Sequence, residues 1–290
     1  MRLFRRPRRL GWQSQHLMEC TVPYTSATDE LLVDFTDNIL TITHNRPDRL
    51  NAISGPMLGE LSRVLQQANI DRDVRAVIMT GNGRGFCAGL DLKDQMEGGR
   101  GLNGASRPGY QLFDLHNSPP MVINRMDKPM ICALNGAAAG YGMDMALGCD
   151  IRIASENAKM GAVFAKRGVL PESGGCWYLP RLLGWAKAAE VAFMGDVLDA
   201  QKSLELGLVN KVVPHDQLMA ETMKMARQIA NNAPLSVQST KRMMRLGMEE
   251  PFEAAVDHIY LQLLPLFQSD DFKEGLSSFA ERREPAFKGR

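Results

Sequence analysis

GNGRGFCAGLDL, residues 81–92, follows without a break on VRAVIMT, residues 74–80. The glycine-rich stretch can turn tightly and lets a ligand approach its backbone closely. The apolar run before it is typical of a buried strand in a parallel sheet. We expect a helix to begin at Leu90, and unpaired N–H groups at such a point attract negative charge. The stretch lacks the Lys-Ser/Thr ending and the glycine spacing of the common nucleotide-binding loops.

The same arrangement recurs further along the chain. MICAL, residues 130–134, reads as a second buried strand, and NGAAAGYGMDMALGCD, residues 135–150, follows it at once. Its small residues permit close backbone approach, and a short helix is predicted over residues 143–147. Either stretch alone could serve only the tight packing of a helix on a strand. Their joint occurrence favours a ligand site built from two backbone segments.

The flanking sequence predicts an α/β fold. Alternating residues at 31–35 and 39–43 predict a hairpin across Asp37 and Asn38. Ser54 with Pro56 marks a helix start. Further strands are predicted over 149–154 and 208–213, and helices over 110–126, 186–193, 217–231, 235–244 and 252–264. Strands that alternate with helices imply parallel crossovers, and the later helices form an extension that caps the core or contacts a neighbouring subunit.

Composition narrows the class of partner. The chain has 290 residues, 44% hydrophobic and 23% charged, and a net charge of +1. Such a molecule generates no strong field for nucleic acid or a membrane surface, which favours a small-molecule substrate. Five scattered cysteines without paired spacing predict reduced thiols and no metal site. We expect a cytoplasmic protein, although the Arg-rich residues 1–9 leave open organellar import, a basic arm or a start at Met18.

Four motifs in order resemble the enoyl-CoA hydratase/isomerase family, also called the crotonase family. They are RPDRLNAI (46–53), GFCAGLDL (85–92), NGAAAGYGMDMALGCDIRIAS (135–155) and GVLPESGGCWYLPRLLG (168–184). The resemblance spans residues 31–290, and 272–287 look like the family's C-terminal helix. It implies an α/β, crotonase-like spiral core of ββα repeats with a C-terminal helical trimerisation region. The chain then divides into a basic leader (1–28), the core with an acyl-CoA site (29–210) and a helical region (211–290).

The resemblance also assigns site residues. An oxyanion hole, which is a pair of backbone N–H groups that hold the thioester oxygen, is assigned to Ala88 and Tyr141. The family usually has glycine where Tyr141 stands. Coenzyme A is placed against five residues: Ala52, Ala88, Leu90, Asp91 and Leu92. Because coenzyme A is part of the substrate, no separate cofactor and no metal are expected.

Carboxylates would move the proton. In the family's hydratases two glutamates act together, and here the first position carries Asp144 while the second carries Phe164, which cannot hold a proton. Glu172 resembles the acidic position of the peroxisomal-type enoyl-CoA isomerases. We therefore expect Glu172 to be the principal acid/base and Asp144 its helper. Alternatively, Glu172 only favours a helix N-terminus and Asp144 is a buried, hydrogen-bonded helix residue.

The resemblance implies an enzyme that acts on an acyl-CoA thioester in fatty acid metabolism. The first expectation is an enoyl-CoA hydratase that adds water to a trans-2-enoyl-CoA through an enolate. A Δ3,Δ2-enoyl-CoA isomerase with Glu172 as single base is the alternative. A homologue that binds RNA, or binds acyl-CoA without turnover, remains a third reading. The family also implies a homotrimer or a dimer of trimers, with no membrane partner.

Overall fold

The computed structural model describes residues 24–91 and 115–290. Within them the strands are β1 (Leu31–Thr36), β2 (Ile39–His44), β3 (Ala76–Gly81), β4 (Gly85–Cys87), β5 (Met130–Leu134), β6 (Ala137–Ala139), β7 (Ile151–Ser155), β8 (Lys159–Gly161), β9 (Val197–Asp199) and β10 (Lys211–Val213). The larger sheet has the order β1-β2-β3-β5-β7-β10 and the smaller one β4-β6-β8-β9. Neighbours run parallel except in the pairs β1/β2 and β8/β9.

The α-helices of the described residues alternate with the strands in the first part of the chain and follow one another at its end. They are α1 (Gly55–Ile70), α2 (Pro119–Arg125), α3 (Tyr141–Gly148), α4 (Gly175–Leu183), α5 (Trp185–Met194), α6 (Ala200–Glu205), α7 (Leu218–Ala230), α8 (Pro234–Gly247), α9 (Phe252–Phe267) and α10 (Asp270–Glu281). The predicted helices at 186–193, 217–231, 235–244 and 252–264 correspond to α5, α7, α8 and α9. The C-terminal helix implied by the resemblance is α10.

The predicted N-terminal hairpin is confirmed. Thr36 pairs with Ile39 across the two-residue turn, and Leu31 pairs with His44 at the far end. Asp37 and Asn38 have φ values of 55° and 61°. Two successive positive φ values are what a two-residue turn of this hand requires, and Asn and Asp tolerate them better than most residues.

The larger sheet is buried on both faces. On one face α1 packs through the predicted stripe, and Ser54 begins that helix by accepting a hydrogen bond from the N–H of Met57 at 3.1 Å. On the other face Ile39, Ile78 and Ile131 form a second apolar cluster with α7. A sheet covered on both sides explains why VRAVIMT and MICAL are apolar at nearly every position.

Three predicted elements are shorter than expected. The helix predicted over 110–126 is, within the described residues, only Pro119–Arg125, because two prolines set its start; residues 110–114 lie outside them. The strand predicted over 149–154 begins at Ile151, since the N–H of Cys149 still bonds the last turn of α3. The strand predicted over 208–213 is reduced to Lys211–Val213.

Candidate active site

Three buried side chains contact the backbone carbonyl oxygens of the glycine-rich loop. Asn51 and Asn135 both donate a hydrogen bond to the carbonyl oxygen of Gly85, at 2.7 Å and 3.1 Å. His44 lies fully buried with Nδ1 3.3 Å from the carbonyl oxygen of Phe86. Burial lowers the pKa of His44 to about 4, so its ring is neutral and Nδ1 carries the hydrogen that points at Phe86. The path of the loop is therefore fixed by groups that solvent does not reach.

The N–H of Ala88 is not available to a ligand. It donates a hydrogen bond to the carbonyl oxygen of Leu50 at 3.0 Å. The assignment of Ala88 as the first oxyanion donor is therefore wrong. Ala88 contributes instead to the pairing between the loop and the segment after β2.

Leu90 supplies the unpaired amide of this loop. The neighbouring groups are engaged, because Ile53 donates to the carbonyl oxygen of Gly89 at 2.8 Å and Asp91 donates to Ile53 at 3.3 Å. Among the described residues, no acceptor lies within hydrogen-bond reach of the Leu90 N–H. Leu90 itself forms an isolated parallel bridge with Ile53. The helix predicted to begin at Leu90 is thus absent at that residue, and Leu92 lies outside the described residues.

The second predicted amide is unpaired, as expected for the first residue of a helix. Tyr141 begins α3, and no described residue accepts a hydrogen bond from its N–H. A methyl group on Gly89 would lie 3.5 Å from the Tyr141 nitrogen and 2.7 Å from the carbonyl oxygen of Ala139. Only glycine fits at this contact. Gly89, which precedes Leu90, thus lies against the backbone at the start of α3. The unpaired amides of Leu90 and Tyr141 are therefore on either side of this contact between the loop and α3.

Asp144 is buried, and one of its two carboxylate oxygens is held by hydrogen bonds. Its Oδ2 accepts hydrogen bonds from the Ser173 hydroxyl at 2.8 Å and from the Gly175 N–H at 3.0 Å. Gly175 is the first residue of α4, so Asp144 satisfies one unpaired N–H of that helix. Burial raises the pKa of Asp144 to about 6, helped by the nearby charge of Glu172 and opposed by the two hydrogen bonds. The carboxyl group can hold a proton close to neutral pH.

Glu172 is the exposed carboxylate next to this cluster. It precedes Ser173 directly, and its charge raises the pKa of both Asp144 and the Tyr141 phenol, which places it near both. No described residue forms a hydrogen bond or an ion pair with it. A carboxylate without a structural partner is free to exchange protons with a substrate.

Phe164 forms an apolar wall of the site. The residue is 5% exposed, and its ring reaches within 3.9 Å of the place where a methyl group on Gly140 would lie. The ring thus packs beside the start of α3. The side chain at this position therefore offers no group that can carry a proton.

The residues assigned to coenzyme A are brought together in part. The bridge between Ile53 and Leu90 lays the segment that contains Ala52 beside the segment that contains Asp91. Arg46, which the sequence analysis did not single out, joins them by donating to the carbonyl oxygen of Ala52 at 2.6 Å and pairing with Asp91 at 3.0 Å. The position of Arg46 inside the motif RPDRLNAI was a signal in the sequence that it belongs to the site. Its ion pair with Asp91 could not be predicted, because the fold brings the two residues together. Contact of these residues with coenzyme A stays a prediction.

Asp144→Asn is expected to change how stability depends on pH. The folded state raises the pKa of Asp144 from 3.8 to about 6, so it binds the proton more tightly than the unfolded chain. The contribution of Asp144 to the free energy of unfolding is therefore most favourable below about pH 4, and it is lost as the pH rises towards 6 and beyond. Because asparagine carries no charge, the variant does not bury an ionised carboxylate. Urea unfolding at about pH 8 should therefore show an unfolding free energy up to about 3 kcal/mol higher than that of the wild type.

Asp196→Asn is the matched control, because Asp196 is exposed and its only described partner is Lys166. Its unfolding curves should keep the pH dependence of the wild type. An Asp144→Asn protein with that same pH dependence would contradict a raised pKa for Asp144.

The chain is similar in sequence and in structure to known proteins that act on acyl-CoA thioesters. A sequence model described as enoyl-CoA hydratase/isomerase matches residues 34–290. The chain is 35% identical to 1,2-epoxyphenylacetyl-CoA isomerase of Escherichia coli over 87% of this chain and 95% of that one. It is 37% identical to mevalonyl-coenzyme A hydratase of Aspergillus fumigatus over 89% and 94%. A solved enoyl-CoA hydratase from Bacillus anthracis superposes with a TM-score of 0.80 at 32% identity, covering 90% and 100%.

A mixed α/β core with unpaired amides beside a carboxylate is the arrangement of an acyl-CoA hydratase or isomerase. The chain belongs to the enoyl-CoA hydratase/isomerase family and has its crotonase fold. It is accordingly an enzyme of the lyase or isomerase classes. No group of His, Cys, Asp or Glu suited to a metal occurs among residues 24–91 and 115–290. Over the same residues, no helix has the length and apolar character to cross a membrane.

Proposed function

We propose that this enzyme moves a carbon–carbon double bond in an enoyl-CoA, with Glu172 as the single proton carrier. The observation that carries the proposal is that Phe164, Asp144 and Glu172, the three side chains around α3, differ in their ability to exchange a proton. Phe164 cannot hold a proton, and Asp144 is tied to Ser173 and Gly175. Glu172 is the carboxylate that remains exposed and unpaired there.

The amides of Leu90 and Tyr141 would stabilise the intermediate. Removal of a proton next to a thioester carbonyl turns the carbonyl oxygen into an enolate oxygen. Two N–H donors that are already oriented can hold this charge without reorganisation. Each such donor is typically worth about 2.7–4 kcal/mol in the transition state.

Double-bond migration needs one base that takes a proton at the α carbon and returns it at the γ carbon. Hydration instead needs one group to activate water while a second delivers a proton. The engaged carboxylate of Asp144 is poorly placed to share that work.

Hydration is the second candidate. The pKa of Asp144 is raised to about 6 beside a carboxylate in Glu172, so the pair could act as acid and base on one water. Several relatives carry hydratase names, among them the short-chain-enoyl-CoA hydratase of Clostridium acetobutylicum. Hydration is the first expectation from the sequence, and we rank it second because Oδ2 of Asp144 already accepts from Ser173 and Gly175.

A panel of 2-enoyl-, 3-enoyl- and 3-hydroxyacyl-CoA thioesters tests the proposal. A 3-enoyl-CoA should gain the ultraviolet absorbance of a conjugated thioester without a change in mass. Conversion of a 2-enoyl-CoA with the mass gain of one water would instead assign hydration. Absence of both products across chain lengths, with binding retained, would contradict an acyl-CoA enzyme of either kind.

We also propose coenzyme A contacts at Ala52, Leu90 and Asp91, with Arg46 holding the last of these in place. Leu92 and the side-chain contacts of Ala88 belong to the same proposal. No cofactor besides the coenzyme A of the substrate is needed for proton transfer. Location in the cytoplasm stays a prediction, as do the domain boundaries at 28/29 and 210/211.

A homotrimer, or a dimer of trimers, is proposed from the C-terminal helices. Phe252, Tyr260 and Leu261 on α9 and Phe279 on α10 are all more than half exposed. We take these exposed large apolar side chains on two successive helices as the surface that neighbouring subunits cover. Light scattering at micromolar concentration should give three or six times the chain mass of 32.1 kDa. A clean monomer under those conditions would contradict the proposal.

A further inference from the structure

The hydroxyl of Tyr141 is a polar group of the site to which residues 24–91 and 115–290 provide no hydrogen-bond partner. Tyr141 is 6% exposed, and its ring belongs to the main apolar cluster. No described residue forms a hydrogen bond with the hydroxyl. The nearby Oδ2 of Asp144 already accepts from Ser173 and Gly175.

Other tyrosines show what the fold normally provides. The Tyr24 hydroxyl donates to Asp71 at 2.7 Å, and the Tyr178 hydroxyl accepts from Asn124 at 3.3 Å. A buried hydroxyl without a partner typically costs about 1–3 kcal/mol. The Tyr141 hydroxyl is not enclosed in this way: it has no hydrogen-bond partner among the described residues, and Tyr141 is the first residue of α3, where the substrate carbonyl is proposed to bind.

The surroundings of the phenol define what could accept its hydrogen. Burial raises the pKa of Tyr141, and the charges of Glu172, Cys87 and Asp144 raise it further, so the hydroxyl stays protonated and remains a donor. Both carboxylates near it would repel a negatively charged acceptor. The thioester oxygen is assigned to the amide of the same residue, and a tyrosine ring carries its hydroxyl away from its own backbone. The acceptor is therefore a neutral oxygen further along the acyl chain.

We propose that the Tyr141 hydroxyl donates a hydrogen bond to a neutral oxygen on the substrate's acyl chain. The site then prefers acyl groups that carry a keto or hydroxyl oxygen over plain hydrocarbon chains of the same length. This inference rests on the proposed function only in that an acyl-CoA occupies this site. It names a substrate class that the glycine usual at this position could not select.

Binding of saturated ligands tests the preference without turnover. Calorimetry compares hexanoyl-CoA with its 4-oxo and 5-oxo derivatives on the wild type, Tyr141→Phe and Tyr178→Phe. At least one keto derivative should bind the wild type about tenfold more tightly than hexanoyl-CoA, which corresponds to one hydrogen bond. Tyr141→Phe should lose this ratio. Tyr178→Phe, which removes a hydroxyl at the other end of α3, should keep it.

Equal binding of all three ligands to the wild type overturns the proposal, as does an unchanged ratio in Tyr141→Phe. Should that variant fail to fold, ¹³C NMR of the keto carbon bound to wild-type protein replaces it. A downfield shift on binding supports the hydrogen bond, and an unshifted signal contradicts it. The proposed isomerisation fails separately, through an active Glu172→Gln enzyme, because the ligand ratio is measured on wild-type Glu172 with saturated ligands that undergo no proton transfer.

Discussion

Replacing Glu172 by glutamine is expected to lower kcat by about 10²–10⁴-fold, the usual contribution of a general acid/base. Glutamine has the same shape but cannot accept a proton from the α carbon. Since no described residue pairs with Glu172, the change breaks no structural contact. Affinity for hexanoyl-CoA and the melting temperature should stay at their wild-type values.

Glu190→Gln serves as the matched control, because Glu190 is an exposed glutamate on α5 whose described partner is Lys187. Its turnover should equal that of the wild type. Near wild-type turnover in Glu172→Gln would remove Glu172 from the mechanism and leave only its favourable charge at the N-terminus of α4.

Asp144→Asn, assayed beside Glu172→Gln, separates the two candidate reactions. Under isomerisation the asparagine can still accept from Ser173 and Gly175, so the loss in kcat should be much smaller than at Glu172. Under hydration by a pair of carboxylates, both variants should lose activity to a similar extent. The ratio of the two losses is therefore informative even when the natural acyl group is unknown.

The elements that sequence predicted well are those with a strong local cause. Asp37 and Asn38 can adopt positive φ, which fixed the hairpin turn. VRAVIMT and MICAL are buried on both faces and are therefore apolar at nearly every position. The smaller sheet was missed, because β4, β6, β8 and β9 have three residues each and no periodicity can show in so short a run.

The choice between Ala88 and Leu90 shows what a motif leaves undecided. Both residues lie in GFCAGLDL, and both carry a backbone N–H. In a regular strand the direction of the N–H groups alternates, so Ala88 and Leu90 would point the same way. Gly89 has a φ of 90° and interrupts this alternation. The amide of Ala88 faces Leu50, whereas that of Leu90 does not face its bridge partner Ile53.

Asp144 and Glu172 were both predicted from sequence, but their relative roles were not. Spacing alone could not show that Ser173 and Gly175 would donate to Asp144. That arrangement depends on α4 beginning opposite the first turn of α3. The order of the two carboxylates as proton carriers follows from this tertiary contact.

Gly89→Ala is expected to lower kcat by about 10²–10³-fold, the usual effect of losing one oxyanion donor. A residue with a side chain pays about 1–2 kcal/mol for the left-handed backbone that Gly89 adopts. Its methyl group would also lie 2.7 Å from the carbonyl oxygen of Ala139, closer than two such atoms approach. Either the loop or the start of α3 must move, which separates the amides of Leu90 and Tyr141.

Gly207→Ala is the control that separates the cost of a left-handed backbone from the displacement of the loop or α3. Gly207 has a φ of 80°, and there is open space where its methyl group would lie. Both variants should lose unfolding free energy through the strained backbone, and Gly89→Ala should lose more because of the contact with Ala139; only Gly89→Ala should lose turnover. The carbonyl stretch of bound hexanoyl-CoA, followed by infrared difference spectroscopy, should shift back towards its value in water in Gly89→Ala alone. If the two variants turned over alike, the paired amides would not be holding the thioester, because displacing them would have cost the reaction nothing.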